Sequence, residues 1–448
     1  MERLVYIPRA LSRFLPESSA RRIVVITGAR QTGKTTLVQE RFGDLNYINL
    51  DAPENREALR GTATMSWGNT IGNVAIDEAQ KEPSVFEKVK YAFDKRDITF
   101  TILTGSSQIL LLRKIRESLA GRAFFYELWP LMQSELATKL ATKLAGEFSM
   151  DVPTDVPTFS TDILSHDEMS RPAPPLLDGF FSPGTAGDIL SKLPEVLFGD
   201  QERVCREVES HILRWGGMPA LLELRDEDRW KWLKNYEYTY LERDLADLAR
   251  LDDLMPFRKF QRLSALRSGQ LLNYSELAGD AAISVDTARR YLEYLRISYQ
   301  TALLQPFYRN LTSSLVKTPK LFWTDVGIWR QMTGLKSGIT GQIYETMVIG
   351  EIVKWMKTAQ REGELYFYRT RSGMEIDLLL ETSAGILGME VKSRSNVSQK
   401  DFRSMQRVAE ALGSKWRGGL VIYTGDRIAK VGTPDIWAIP SKRLFHPV

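Results

Sequence analysis

Short apolar runs alternate with amphipathic segments along the first 105 residues of the chain. The runs are rich in β-branched and aromatic residues and lie at IVVI (23–26), NYINL (46–50), NVAI (73–76) and TFTIL (99–103). Between the last two runs, residues 82–93 place apolar side chains at helical spacing. Strands that alternate with helices favour a parallel sheet with helices on both faces. The pattern therefore predicts an α/β fold for this part of the chain.

The middle of the chain shows a different pattern. Residues 151–200 hold seven of the 19 prolines, and because proline breaks helices and strand ladders we expect an insertion or linker there. Residues 201–250 are charged, aromatic and helical in pattern. Residues 272–295 contain two helical patterns joined by a short turn, with Ser284 as the predicted N-cap of the second helix. Strand-like aromatic runs follow, and this order of elements predicts a winged helix.

The C-terminal part again combines both periodicities. A helical pattern covers residues 341–357 and is followed by the strand-like runs LYFYRT, MEIDLLLE and ILGMEVKS. A second helical pattern near 399–412 and the run GLVIYT come next. We therefore predict a further α/β domain in this part of the chain.

Composition narrows the class of protein. Of the 448 residues, 43% are hydrophobic and 26% are charged, which is typical of a folded chain with roughly two to four domains. The single cysteine, Cys205, excludes an internal disulfide framework, and with three scattered histidines it argues against a Cys/His zinc site. No apolar run is long enough to span a membrane and no secretory signal is recognisable, so we expect a cytoplasmic protein without a membrane partner.

The net charge of +4 is too small to identify a partner. Its distribution is more informative, because residues 251–335 carry 11 Lys/Arg and seven Asp/Glu and thus account for the whole excess. This basic segment is either a solvated face or a surface that contacts phosphates.

Residues 28–35, GARQTGKT, match the P-loop pattern in full. Gly28 and Gly33 permit a backbone path that other residues resist, so that backbone N–H groups and the following helix N-terminus can cradle a polyphosphate. Lys34 would place its charge on the β- and γ-phosphates, and the Thr35 hydroxyl would bind Mg²⁺. The loop follows a strand and precedes a helix, which is the setting that this motif requires.

Two adjacent acids follow the third strand-like run, in the sequence VAIDE. Asp77 would hold Mg²⁺ through water, and Glu78 would polarise the attacking water. The alternative, a pair of solvated acids after a strand, is less favoured once a complete P-loop precedes them. The predicted cofactors are therefore ATP and Mg²⁺.

Two further features complete the predicted site. The TGSS segment at 104–107 could place a hydroxyl between the acids and the γ-phosphate, although a helix N-cap fits it equally well. Arg122 could neutralise charge on the phosphates or simply lie at the surface. The predicted nucleotide contacts are Gly28, Arg30, Gly33, Lys34, Thr35, Thr36 and Ser107, with Lys34, Glu78 and Arg122 in catalytic roles.

The segments GARQTGKTTL, VAIDEAQ, TGSSQ and ESLAGRA together closely resemble an AAA-type ATPase family of bacteria and archaea. In that family the ATPase core is followed by a C-terminal region described as a domain of unknown function. The later segments WGGMP, YLERDL, PKLFWTDVGI, GQIYE and RSGMEIDLLLE…MEVKS also resemble that region. The resemblance covers nearly the whole chain, and the Pro-rich stretch 151–200 is its main departure.

The resemblance implies an AAA-type P-loop ATPase core, a winged-helix middle and a C-terminal α/β domain similar to the PD-(D/E)xK nucleases. Arg122 matches the family's Gly-Arg pair, which implies an arginine finger that reaches a neighbouring subunit of a homo-oligomeric ring. DNA is the implied partner. The corresponding division of the chain is 1–135 for the ATPase core with its N-terminal helix, 136–200 for the insertion, 201–250 for a helical lid, 251–337 for the winged helix and 338–448 for the nuclease-like domain.

The strand-like runs of the last segment carry a D…ExK pattern. Asp377 precedes Glu390 by 13 positions, which suits two adjacent strands, and Glu390 and Lys392 face the same side of one strand. The two carboxylates could bind Mg²⁺ and Lys392 could orient a water, with Glu345 on the preceding helix as a further ligand. Alternating charge on an amphipathic strand is the competing interpretation, and such domains also serve as binding modules without cleavage.

Basic residues of the predicted winged helix are candidates for DNA contacts, because arginines on a recognition helix can reach phosphates or base edges. They are Arg289, Arg290, Arg296, Lys317 and Lys320. Winged helices also mediate protein contacts, so this role has an alternative.

These observations favour a Mg²⁺-dependent ATPase that couples hydrolysis to conformational work on DNA, such as binding, remodelling or translocation. One alternative is an ATP-gated DNA nuclease in defence or repair. The other is a nucleotide-switched protein-interaction module without DNA activity.

Overall fold

A computed structural model describes residues 6–105, 119–148, 172–238, 254–307 and 317–447. The chain divides into two units. Unit 1 comprises Met1–Pro130, Met218–Leu254 and Arg290–Gln300, and unit 2 comprises Leu131–Gly217, Met255–Arg289 and Thr301–Val448. In the described ranges, no helix combines the length and the apolar character needed to cross a membrane.

Unit 1 is built on a parallel five-stranded sheet. Its strands are β1 (Arg22–Thr27), β2 (Asn46–Asn49), β3 (Val74–Asp77), β4 (Phe100–Gly105) and β5 (Ala123–Glu127). Its α-helices, numbered along the whole chain, include α1 (Lys34–Arg41), α2 (Pro53–Gly61), α3 (Trp67–Thr70), α4 (Ser84–Lys95) and α8 (Asp226–Tyr236).

The strand order β2–β3–β4–β1–β5 decides which polar residues meet. Strand β4 lies between β1 and β3, and since all three are parallel, their carboxyl ends lie at one edge of the sheet. Alternate residues of the strands pack into two apolar clusters, with Trp67 and Phe86 in one cluster and Leu37 and Phe42 in the other. The parallel α/β architecture predicted from the alternating pattern is thereby confirmed.

Unit 2 contains a mixed sheet of nine strands. The strands are β6 (Gln270–Leu271), β7 (Thr301–Pro306), β8 (Lys320–Trp323), β9 (Glu364–Arg369), β10 (Glu375–Thr382), β11 (Gly385–Lys392), β12 (Trp416–Tyr423), β13 (Ala429–Gly432) and β14 (Ile436–Pro440). The α-helices among its described residues are α5 (Gln133–Phe148), α6 (Ala186–Leu190), α7 (Gly199–Trp215), α9 (Met255–Leu266), α10 (Tyr274–Ala281), α12 (Val326–Thr333), α13 (Gly341–Thr358), α14 (Arg403–Leu412) and α15 (Ser441–Leu444), and α11 (Val285–Ile297) is divided between the two units.

The helical pair predicted at 272–295 is present as α10 and α11. Ser284 Oγ accepts a hydrogen bond from the Thr287 N–H at 3.1 Å, which is the bond that an N-cap provides. Strands β7 and β8 follow the pair and are antiparallel, and β8 also pairs with β6. Strand β7 pairs in parallel with β9 as well, so the segments 251–337 and 338–448 share one sheet.

The remaining strand pairings position the D…ExK residues. Strands β9, β10 and β11 are successively antiparallel, whereas β11, β12 and β14 are parallel. Helix α13 precedes β9, and α14 lies between β11 and β12 along the chain. Asp377 therefore lies on β10, next to the strand that carries Glu390 and Lys392.

The described part of the Pro-rich stretch, 172–200, packs within unit 2. Arg417 on β12 donates hydrogen bonds to the carbonyl oxygens of Gly184 at 2.7 Å and Phe180 at 3.0 Å. These bonds satisfy backbone acceptors of an irregular segment. This half of the predicted insertion is thus held by a distant side chain, which its proline content does not reveal.

Two glycine-containing segments quoted above, WGGMP and TDVGI, interlock in unit 2. A Cβ atom on Gly327 would lie 1.8 Å from the carbonyl oxygen of Trp215, and one on Gly217 would lie 2.1 Å from that of Leu131. The Asp325 carboxylate accepts the Gly217 N–H at 2.8 Å. Glycine is therefore required where these backbones approach each other.

We expect Gly327→Ala to destabilise the protein by about 1–3 kcal/mol or more, because the added methyl group overlaps backbone atoms. Gly279→Ala is the matched control, since it lies within α10 and its Cβ would meet no atom within 4 Å. The control should be neutral or stabilising by up to about 1 kcal/mol. Thermal unfolding followed by circular dichroism compares the two variants, and equal melting temperatures would contradict the packing described here.

Candidate functional site

The P-loop connects β1 to α1 through a backbone that enters the left-handed region twice. Gln31 and Gly33 have φ of 62° and 90°, a pattern that turns successive N–H groups into an anion-binding concavity. A Cβ atom on Gly28 would lie 2.1 Å from the carbonyl oxygen of Leu128. Gly28 therefore permits close contact with the segment after β5, and Gly33 permits the turn into α1.

Lys34 is the first residue of α1 and is 6% exposed. Its ammonium donates hydrogen bonds to the carbonyl oxygens of Gly28 at 3.0 Å and Ala29 at 2.8 Å. The charge is thus held over the loop, at the start of a helix whose first N–H groups have no intrahelical partner. A polyphosphate in the loop could accept hydrogen bonds from these N–H groups and from Lys34.

Three hydroxyl groups converge on the carboxylate of Asp77, which is 2% exposed. Thr35 on α1 donates to Oδ2 at 2.5 Å, and Tyr47 on β2 donates to the same oxygen at 2.7 Å. Thr104 on β4 donates to Oδ1. The strand order explains the convergence, because β3 lies between β2 and β4.

The surroundings of Asp77 keep it charged. Burial raises the pKa of Asp77, but hydrogen bonds from Thr104, Thr35 and Tyr47 outweigh this effect, so the pKa lies below its usual value. Burial and the bond to Asp77 raise the pKa of Tyr47, which keeps that hydroxyl a donor. A buried carboxylate that stays ionised beside a threonine hydroxyl offers the oxygen ligands that Mg²⁺ prefers.

Glu78 follows Asp77 with φ of 54°, in the left-handed region that is unfavourable for a residue other than glycine. Its N–H donates to Asp77 Oδ1 at 3.0 Å, and its carboxylate accepts a hydrogen bond from Gln80 Nε2. These two contacts fix both the backbone and the side chain of Glu78. A strained residue held in this way at the end of a central strand is a typical feature of a reactive site.

Sequence reasoning missed the residues that support the loop from outside the motif. Arg9, which is 4% exposed, donates to the carbonyl oxygens of Thr32 at 2.5 Å and Trp129 at 2.6 Å. Tyr236 at the end of α8 donates to the carbonyl oxygen of Arg30 at 3.3 Å. All three acceptors are backbone groups, so no pattern of side chains in the sequence could have indicated these contacts.

The other predicted nucleotide contacts are distributed as follows. Within the TGSS segment, Thr104 is the hydroxyl that reaches Asp77. Ser107, to which we assigned that role, lies outside the described residues. Thr36 is exposed on α1, and the side chain of Arg30 is half-buried in the loop.

Arg122 forms two hydrogen bonds to the Asp94 carboxylate, at 2.6 and 2.9 Å. The Arg122 guanidinium holds the pKa of Asp94 below its usual value. To reach the nucleotide of a neighbouring subunit, Arg122 would have to exchange this partner for a phosphate. Its role as an arginine finger stays a prediction.

A second group of charged residues lies in unit 2, where β10 and β11 run side by side. Asp377 Oδ2 accepts the Val391 N–H at 2.9 Å, and Lys392 Nζ donates to Glu390 Oε1 at 2.7 Å. Asp377, Lys392 and Glu345 are among the residues that line a cleft of about 410 Å³. The structure thus brings the D…ExK residues together with the acid of the preceding helix.

The acids of this cleft are crowded and poorly solvated. Burial and the charge of Asp377 raise the pKa of Glu345 to about 7 and that of Glu390 to about 8. Burial also raises the pKa of Asp377. Over the ranges that the structure describes, no three Asp, Glu, His or Cys side chains are grouped as a metal site.

Most of the basic residues that we predicted to contact DNA are exposed on one helix or just before β8. They are Arg289, Arg290, Arg296 and Lys317. The Arg289 guanidinium lies over the ring of Tyr274 at 4.8 Å, which orients it on the surface of the helical pair.

Lys320 departs from this prediction. It is 4% exposed, and its Nζ lies 2.7 Å from Glu375 Oε1. The side chain is buried because α13 packs against β8, and the ammonium lies beside acids of α13 and β10. A lysine in this position does not face DNA, and we withdraw that assignment.

Comparisons with known proteins agree with the geometry of unit 1. Residues 20–137 match a family model described as an AAA domain, and this stretch contains the P-loop, both acids and Thr104. The chain carries an AAA-type ATPase domain. The AAA domain is followed by residues 206–338 and 340–444, which match two models described as domains of unknown function, DUF8612 and DUF4143.

Relatives that match most of the chain come from a bacterium and an archaeon. An uncharacterized protein of Mycobacterium tuberculosis is 25% identical over 386 residues, which are 84% of this chain and 71% of the relative. One of Methanocaldococcus jannaschii is 24% identical over 380 residues, 80% of this chain and 72% of the relative.

Two solved structures show a weak likeness to this chain. A Walker-type ATPase of Pyrococcus abyssi matches with a TM-score of 0.41 and 17% identity over 72% of this chain and 94% of that one. DnaA of Aquifex aeolicus bound to AMPPCP matches with a TM-score of 0.23 and 14% identity over 64% of this chain and 84% of that one.

We expect Tyr47→Phe to shift the acidic limb of the pH–rate profile of the AAA domain to higher pH. The hydroxyl lowers the pKa of Asp77, so its removal lets Asp77 take up a proton at a higher pH. At neutral pH the rate should fall less than about tenfold, since one hydrogen bond is lost. Tyr91→Phe on α4 is the control and should leave the limb in place. ATP turnover measured from about pH 3 to pH 7 covers this limb, because the pKa of Asp77 lies below its usual value, and an unchanged limb in Tyr47→Phe would contradict the assignment.

Proposed function

We propose that the protein hydrolyses ATP in a Mg²⁺-dependent reaction at the P-loop and uses the energy for conformational work on DNA. The observation that carries the proposal is the convergence of three hydroxyl groups on the buried, ionised carboxylate of Asp77, beside the loop. This arrangement supplies oxygen ligands and a phosphate cradle at one edge of the sheet.

The residues around the loop fit Mg²⁺ bound together with a nucleotide. Thr35 would contribute its hydroxyl oxygen, and Asp77 would contribute its carboxylate through water. Bound Mg²⁺ neutralises charge on the β- and γ-phosphates. Lys34 would bind the same phosphates after exchanging the carbonyl oxygens of Gly28 and Ala29 for phosphate oxygens.

Glu78 would act on the attacking water. Its carboxylate is oriented by Gln80, and its backbone is tied to Asp77. A fixed carboxylate can accept a hydrogen bond from water and increase its nucleophilicity towards the γ-phosphate. Proximity and orientation provide most of the rate in such reactions, because the phosphoryl group needs positioning more than covalent chemistry.

Contacts outside the motif would couple the loop to other segments of unit 1. Arg9 and Tyr236 both hold carbonyl oxygens of the loop or its neighbourhood. A change in the conformation of the loop on nucleotide binding or hydrolysis would alter these hydrogen bonds. The positions of the N-terminal segment and of α8 would then change with it. Work on DNA is supported by the exposed basic residues of α11 and by Lys317, which could contact phosphates.

We expect Lys34→Ala to abolish ATP turnover and to weaken nucleotide binding. The variant removes the ammonium that would bind the β- and γ-phosphates, and residues 32–35 contain no other basic side chain. Glu78→Gln should lower kcat by about 10²–10⁴-fold and leave nucleotide affinity within a few-fold. Phosphate release measures turnover, and binding of a fluorescent ATP analogue measures affinity.

Exposed residues of α4 provide matched controls for these two variants. Lys95→Ala and Glu87→Gln remove the same groups from the surface and should leave both kcat and affinity unchanged. Turnover by Lys34→Ala at the wild-type rate would refute the assignment of the loop. Full turnover by Glu78→Gln would refute the role of that carboxylate alone.

We expect DNA to stimulate ATP turnover and DNA affinity to fall steeply with salt, as counterion release requires. Arg289→Ala with Arg290→Ala should weaken binding and reduce the slope of log K against log[salt] by about 2, one for each lost phosphate contact. Arg403→Ala with Arg407→Ala removes two exposed arginines from α14 and is the control. Fluorescence anisotropy between 50 and 200 mM salt gives the slope.

Absence of both stimulation and binding for single-stranded, duplex and branched DNA would favour a protein-interaction module instead.

A further inference from the structure

Lys320 is a buried cation that the D…ExK pattern does not account for. Its side chain is 5% exposed, and its Nζ lies 2.7 Å from Glu375 Oε1 and 3.7 Å from Glu345 Oε1. The charge of Asp377 also acts on it. The ammonium therefore lies among acids that come from β10 and from α13.

Lys320 is distant in the sequence from Asp377, and strand pairing brings the two residues into one sheet. Lys320 is on β8, where it pairs with Leu304 on β7 and Leu271 on β6. Strand β7 joins β9, the neighbour of β10, so the strands after the helical pair and the D…ExK strands form one sheet. The lysine and the acids thus belong to a single packed layer.

The acids around the cleft already have cationic or N–H contacts within the chain. The nuclease pattern implies an ion shared by Asp377, Glu390 and Glu345. Glu345 instead faces the Lys320 ammonium, and Glu390 gives one oxygen to Lys392. Asp377 gives one oxygen to a backbone N–H. Mg²⁺ requires near-octahedral oxygen ligands at about 2.1 Å, and the buried Lys320 ammonium, 3.7 Å from Glu345 Oε1, repels a divalent ion bound to that oxygen.

The position of Lys320 also explains how the fold tolerates these acids. A buried charge without a partner is strongly unfavourable, and acids at this density require either protons or a counter-charge. Lys320 supplies a counter-charge from within the chain, close to Glu375 and Glu345. Lys392 does the same for Glu390.

We propose that the Lys320 ammonium, paired with Glu375 and Glu345 beside the acidic cleft, is the cation that takes the role of a divalent metal for these acids. The cleft then binds no divalent metal in the folded protein, and the C-terminal strands serve binding or packing rather than metal-dependent cleavage. This inference is independent of the ATPase proposal, because it concerns only residues of unit 2.

Mn²⁺ binding to the nucleotide-free full chain tests the proposal, with free Mn²⁺ followed by electron paramagnetic resonance. Every variant carries Asp77→Asn, so that the P-loop site lacks the carboxylate to which metal binding is assigned there. In this background we expect Asp377→Asn to change nothing, because the cleft holds no metal. Adding Lys320→Gln should tighten Mn²⁺ binding at least tenfold, and Asp377→Asn should then remove the gain.

Two results would overturn the proposal. One is Mn²⁺ binding by the background protein that Asp377→Asn abolishes, since the cleft would then bind metal with Lys320 in place. The other is a Lys320→Gln protein with a wild-type circular dichroism spectrum and no gain in Mn²⁺ affinity. Lys320→Arg keeps the cation and should behave as the background does. If Lys320→Gln does not fold, Mn²⁺ binding by the background protein with and without Asp377→Asn decides. Both of these proteins keep Lys320.

Discussion

A buried carboxylate that remains ionised, Asp77, is the group on which the nucleotide site depends. Burial alone would raise its pKa, and hydrogen bonds, the largest of them from the hydroxyl groups of Thr104, Thr35 and Tyr47, outweigh that effect. These donors come from a helix and two strands, so the buried charge is stabilised only when the parallel sheet is correctly ordered. The same order places the P-loop helix beside the acid. Fold and chemistry are therefore linked through one hydrogen-bonded side chain.

Local patterns were sufficient to predict the parallel sheet, the P-loop and the adjacent acids, because each depends on residues close together in the chain. From the sequence we assigned the hydroxyl donor after β4 to Ser107, which lies outside the described residues, and the donor that the structure shows is Thr104. The strand ends at Gly105, which puts Thr104 next to Asp77. Tyr47 and Arg9 carry no motif, since strand order and backbone carbonyls decide what they contact.

Long-range pairing explains the larger differences in unit 2. The join between β7 and β9 makes one sheet of segments that the sequence suggests are separate, and it buries Lys320 instead of exposing it. Composition and spacing describe single strands, but they do not specify which strand edges meet. The same limit applies to the Pro-rich stretch, whose described half is held by Arg417. The need for glycine at positions 217 and 327, in contrast, is explained by backbone contact alone, because a Cβ atom at either position would overlap a carbonyl oxygen.

Calorimetry with a non-hydrolysable ATP analogue, in the presence and absence of Mg²⁺, is the most direct test of the nucleotide site. The structure predicts one analogue bound per chain, with tighter binding when Mg²⁺ is present. Thr35→Ala should remove most of that Mg²⁺ dependence, because it removes both a metal ligand and a donor to Asp77. Failure of the wild-type protein to bind the analogue at any Mg²⁺ concentration would contradict the account.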